Sequence, residues 1–209
     1  MNSVLRLGFA PLLEGRRTLP RALAAAVVTL LGLLAACGGG AKSDAQIASD
    51  ALSAGLRAQA QGRTAEAAAD YKNVLAHDAR NKFAYYDLGL IQQNSGQSAA
   101  AEQNYRACLQ VDPNFAPALY NLAILRTGPS PLEAEQLYRH AISVQPNNAP
   151  AHLNLGFLLR SLGRADEGNT ELRTAVALDA SLAQRIAPGT LATPAPPTST
   201  PRPTPTTRP

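Results

Sequence analysis

Four segments of this chain align on one another: 65–78 (AEAAADYKNVLAHD), 99–113 (AAAEQNYRACLQVDP), 132–146 (LEAEQLYRHAISVQP) and 165–179 (ADEGNTELRTAVALD). Their equivalent ends fall at Ala79, Pro113, Pro146 and Ala180, so the periods are 34, 33 and 34 residues. A unit of that length cannot bury a core alone, so successive units must stack and cover one another. A second helical stretch precedes each segment, clearest at 84–94, 116–126 and 149–161. The pattern is helix–turn–helix repeated four times, and the fold class it predicts is all-α.

Composition agrees. Alanine is abundant, aromatics make up 5% and tryptophan is absent, which suits helices packed through small side chains and suits a β-sandwich badly. Fixed positions carry fixed jobs. Gly55, Gly89, Ala123 and Gly156 share one site in the first helix of each pair, and Ala67, Ala101, Ala134 and Gly168 share one in the second. Small side chains there let the paired helices approach. Tyr71, Tyr105, Tyr138 and Leu172 lie four residues further on and are the large knobs of the same face. Gly62, Gly96 and Gly163 fall in the turns, where a left-handed residue ends a helix. In the third pair the turn reads Gly128-Pro129-Ser130-Pro131, one residue short. There Ser130 and Glu133 read as a capping box, with Pro131 at the first helical position.

A 34-residue helix–turn–helix period with Leu-Gly, Ala, Tyr and Pro at fixed places resembles the tetratricopeptide repeat (TPR) family. The resemblance covers about 133 of 209 residues. It implies a right-handed superhelical solenoid of four repeats at 48–81, 82–115, 116–148 and 149–182. Residues 181–187 would form a short capping helix that leaves the apolar edge of the last repeat poorly covered.

The resemblance also implies that positions 2, 5, 6, 9 and 12 of each first helix line an inner groove. Position 5 is Leu52, Tyr86, Tyr120 and Leu153; position 9 is Leu56, Leu90, Ile124 and Phe157. Position 2 is Ser49, Phe83, Pro117 and Pro150, and position 6 is Ser53, Asp87, Asn121 and Asn154. The expected peptide-binding set is Phe83, Tyr86, Leu90, Tyr120, Asn121, Ile124, Leu153, Asn154, Phe157 and Arg160. An apolar stripe of this size marks either a binding surface or packing between repeats. Asn121 and Asn154 resemble the asparagine ladder of O-GlcNAc transferase repeats, whose amides hold the backbone of an extended peptide.

The ends differ from the middle. Arg6, Arg16, Arg17 and Arg21 precede an uncharged stretch at 22–36, too short for a bilayer span and fitting a signal-peptide core. Arg16-Arg17 is either a twin-arginine export signal or an ordinary basic leader. The junction Leu34-Ala35-Ala36-Cys37 resembles a bacterial lipobox, which implies cleavage after 36 and lipidation of Cys37. An uncleaved anchor or an ordinary signal peptide are the other readings. Residues 37–47 would be a tether. Residues 188–209 hold eight prolines and seven threonines, a composition that predicts a disordered, locally polyproline II tail.

These readings exclude more than they name. Between 37 and 180 there are 12 basic and 14 acidic residues, so the body offers no cationic face for nucleic acid. Cys108 reads as a small core residue, and His77, His140 and His152 occupy unrelated positions. No catalytic triad, metal spacing, phosphate loop or cofactor motif emerges, and no small-molecule substrate is expected. The expected function is a non-enzymatic, membrane-anchored protein-interaction scaffold of the bacterial cell envelope. Its lipid would sit on the outer face of the cytoplasmic membrane or in the outer membrane. The groove would bind an extended peptide or a partner helix. The alternative is an accessory, substrate-presenting module related to glycosyltransferase repeat regions.

Overall fold

The computed structural model describes residues 41–187 and residue 190. The described body belongs to one compact unit beginning at Ser43. It contains eight α-helices: α1 Asp44–Ala60, α2 Thr64–His77, α3 Lys82–Asn94, α4 Ser98–Val111, α5 Ala116–Arg126, α6 Pro131–Val144, α7 Ala149–Ser161 and α8 Ala165–Leu178. A 3-10 helix, Ala180–Arg185, follows. Each helix packs chiefly on its neighbours in sequence, the contact pattern of a solenoid.

Local chemistry sets the boundaries. Ser43 caps α1 by accepting from the Gln46 amide at 3.3 Å, and Asp44 sits in the positive first turn. The helix therefore begins inside the segment read as a tether. Asn81 and Asn148 cap α3 and α7, accepting from Ala84 and Ala151 amides at 3.1 and 3.0 Å. Asp78, Asp112 and Asp179 each accept from an amide two residues on, turning the chain at the end of a repeat.

Gly96 has φ +74°, and the Gln97 amide reaches back to the Gln92 carbonyl at 2.9 Å, a Schellman close. The turn between α5 and α6 has no positive-φ residue. Its expected capping box is not formed: the Ser130 side chain makes no capping bond, the Ser130 amide donates instead to the Arg126 carbonyl at 2.8 Å, and the Glu133 carboxylate is held by Arg126 and Arg106.

The small-residue positions are close approaches. A Cβ built on Gly89 would lie 2.6 Å from Tyr105 Cε1, and one on Gly55 2.7 Å from Tyr71 Cε1. Tyr71, Tyr105 and Tyr138 are buried as the knobs of their pairs. Cys108 is fully buried, and burial pushes its thiol up to about 12. The last repeat is not left open. Leu182 of the 3-10 helix and Ile186 just after it are buried against Ala149, Leu153, Leu172 and Ala175, so the short segment expected to leave that edge poorly covered closes it.

Acidic side chains of the second helices are in part bound across repeats. Glu102 and Glu133 close a ring with Arg106 and Arg126 at 2.6–3.2 Å. One repeat on, Glu135 and Glu167 do the same with Arg139 and Arg164 at 2.6–3.4 Å. His152 is buried, its Nδ1 2.7 Å from Glu171 and its Nε2 2.9 Å from the Pro146 carbonyl.

Candidate functional site

Position 12 of every first helix turns out to be a strut to the second helix of its own repeat. Tyr71 donates to Gln59 at 2.5 Å and Tyr105 to Gln93 at 2.7 Å. Thr127 meets the Tyr138 hydroxyl at 3.3 Å, and Arg160 donates to Asn169. Arg160, read as an inner-face candidate, is thus engaged by α8. No groove ligand is needed to satisfy it.

Positions 5 and 6 form a second set of links, between first helices. Asn121 donates to the Tyr86 hydroxyl at 3.3 Å, and Asn154 to the Tyr120 hydroxyl at 3.0 Å. Each asparagine commits one amide hydrogen to the preceding repeat, and Asn154 also bonds the Tyr138 hydroxyl, while the amide carbonyls keep their acceptor capacity.

A cleft of about 560 Å³ opens beside this ladder, lined among others by Tyr120, Ile124, Asn154, Phe157, Tyr138 and Arg185. Phe157, 37% exposed, is its apolar rim. Four residues of the expected groove therefore converge: Tyr120, Ile124, Asn154 and Phe157. Tyr86 and Asn121 continue the same face, and Leu90 is half-buried on α3.

Phe83 stands apart. It packs edge-on to Phe115 at 5.8 Å, Phe115 meets Tyr86 at 5.3 Å, and the Lys82 ammonium lies over both phenylalanines. Leu153 has no exposed surface and belongs to the core beneath Leu182 and Ile186, so it cannot touch a ligand. Sequence reasoning missed Arg185, whose place depends on how the last turn folds back. It also took Tyr138 for a knob alone, although its hydroxyl end reaches the cleft.

One ladder position breaks the pattern. Where repeats three and four carry asparagine against tyrosine, repeat two carries Asp87, and repeat one offers Leu52 in place of the phenol. Asp87 has no cation and no hydrogen-bond donor among the described residues, and burial pushes its carboxyl up to about 6. Its charge in turn helps to raise the phenols of Tyr71 and Tyr105, behind burial in both cases. No group of three or more metal-ligating side chains occurs among the described residues.

A row of helix pairs tied by struts within repeats and by a ladder between them is a helical-repeat solenoid, and such solenoids present faces to other macromolecules. Tetratricopeptide-repeat family models match residues 84–115 and 137–168. The chain is a tetratricopeptide-repeat protein. The photosystem I assembly protein Ycf3 of Acaryochloris marina (strain MBIC 11017) is 35% identical over 74 residues, 34% of this chain and 45% of that relative. The match thus spans less than half of Ycf3. A MamA crystal structure has a TM-score of 0.61 at 20% identity, covering 67% of this chain and 77% of MamA. The first TPR of Spaghetti (RPAP3), bound to the HSP90 peptide SRMEEVD, has a TM-score of 0.54 at 21% identity, covering 59% and 99%. These structural likenesses show the fold alone.

Proposed function

We propose that this chain is a membrane-tethered scaffold that binds an extended segment of another protein on the face made by α1, α3, α5 and α7. The cleft at Tyr120, Asn154 and Phe157 carries the reading. It joins aromatic area, a half-exposed apolar rim and amide carbonyls with unused acceptor capacity, the mixture that peptide sites use. The Spaghetti repeat bound to a peptide supports the same use of the fold. The tether rests on the Leu34-Ala35-Ala36-Cys37 junction, which lies outside the described residues, as does most of the 188–209 tail. No helix among the described residues is long and apolar enough to cross a membrane. On this reading the anchor is the lipid on Cys37, implied by the lipobox-like junction. Assembly of a bacterial envelope complex is the role that combines a lipid anchor with a peptide groove.

A photo-crosslinker replacing Phe157, in cells carrying the full chain, tests the groove. The expected result is a discrete covalent partner, lost on Tyr120→Ala. Crosslinks indifferent to Tyr120 would overturn the reading. Palmitate incorporation into wild type and not into Cys37→Ser, with release of the variant from membranes, tests the anchor separately.

A further inference from the structure

The ladder face carries a free charge of each sign. Asp87 replaces the asparagine of the other rungs, and the first repeat carries Leu52 where the later ones carry tyrosine, so the desolvation of its carboxylate is uncompensated among the described residues. An unpaired, half-buried charge works against stability, and such local inconsistencies concentrate where a protein binds something. At the other end Arg185 lines the cleft beside Tyr120 with no ion pair or hydrogen bond to its guanidinium among the described residues. The other arginines near this face are engaged: Arg160 by Asn169, and Arg126 by Glu102 and Glu133. The two free charges therefore lie at opposite ends of one aromatic, amide-bearing strip.

Asp87 belongs to α3, and Arg185 reaches the cleft between α5 and α7. At an interaxial spacing of roughly 8–10 Å between packed helices, the charges are separated by roughly 12–20 Å. An extended segment rises roughly 3.3 Å per residue, so about five residues bridge them.

We propose that the groove selects an extended segment of a partner carrying lysine or arginine opposite Asp87 and aspartate or glutamate opposite Arg185, about five residues apart. The proposal rests on the groove reading above and adds the charge pattern of the occupant. Complementary charges at both ends fix the register and direction of a segment that apolar contacts alone would let slide. The chain's own tail meets only half of the requirement, since 191–209 holds Arg202 and Arg208 and no acidic residue.

Peptide display selection against the full chain is the test. Enriched peptides are expected to carry a basic and an acidic residue about five apart. Asp87→Asn abolishes enrichment of the basic residue alone, and Arg185→Glu replaces the acidic preference by a basic one. A synthetic peptide of residues 188–209 binds about ten-fold more weakly than the best selected peptide. Enriched peptides without a charge pattern, or a pattern unmoved by both substitutions, overturn the proposal while leaving the groove intact. Equal binding of the 188–209 peptide overturns the acidic requirement in favour of the chain's own tail. Recovery of no peptide at all instead removes the groove reading on which the proposal stands.

Discussion

Asn154 donates to the phenolic oxygen of Tyr120 at 3.0 Å across a separation of 34 residues, and Asn121 repeats the bond to Tyr86 one period earlier. An asparagine that the sequence suggests as a hand for a ligand is thus first a rung between repeats. Holding the first helices in register keeps Tyr120 and Phe157 on the rim of one cleft. Tyr120→Phe removes the acceptor with little change of shape and is expected to cost about 1 kcal/mol. Urea unfolding of Tyr120→Phe, Asn154→Ala and the double variant checks it. A coupling energy near zero would show that the rung contributes nothing to stability.

Gly89 and Gly128 separate crowding from backbone freedom. At Gly89 a Cβ meets the ring of Tyr105 at 2.6 Å, and that ring is fully buried with its hydroxyl on Gln93. Gly89→Ala is expected to destabilise by about 2–3 kcal/mol through overpacking. Gly128 has open space and no positive φ, so Gly128→Ala is expected to be neutral or slightly stabilising. Thermal unfolding of the two variants side by side decides it.

Asp87 gives a pH signature. Burial pushes its carboxyl from the ordinary 3.8 up to about 6, so the folded state holds the proton more tightly. The corresponding stability is fully present below about pH 4 and is lost as pH rises through 6. The groups facing it are Tyr86 on its own helix, Tyr71 on α2, and Tyr105 and Cys108 on α4, all with pKa values pushed upward and all neutral across this window. Asp87→Asn is therefore expected to stabilise the chain at pH 7 by about 1–2 kcal/mol, allowing for partial solvent access, and to change little at pH 4. Denaturation midpoints at the two pH values measure the difference.

Ile186 tests the cover on the last repeat. Truncating a buried isoleucine over Leu153 and Leu172 is expected to cost about 2–4 kcal/mol, felt first in α7 and α8. Hydrogen exchange should accelerate there and leave α1–α3 protected, because solenoid repeats depend on their nearest neighbours. Uniform acceleration along the chain would count against this division.

The period, the helix pairs, the small-residue contacts and the knob tyrosines were legible because they depend on spacing along one helix and on its immediate partner. A glycine followed by a tyrosine 16 residues later, as at Gly55 and Tyr71 or Gly89 and Tyr105, describes a contact that a helix–turn–helix of fixed length must make. The capping box at Ser130 misled because Glu133 is drawn to Arg126 of its own repeat and Arg106 of the preceding one, contacts that short-range spacing does not show.

The repeat is written into the order of residues: its length, its helices, and which side chains face inward within each pair. How those side chains are used between repeats was settled by three-dimensional packing. It assigned Arg160 to Asn169, placed Leu153 under Ile186, brought Arg185 beside Tyr120 and left Asp87 without a partner. Those outcomes depend on the crossing of one helix pair over the next and on where the last turn returns. Neither is set by residues close together in the chain, and both follow from packing whole faces at once.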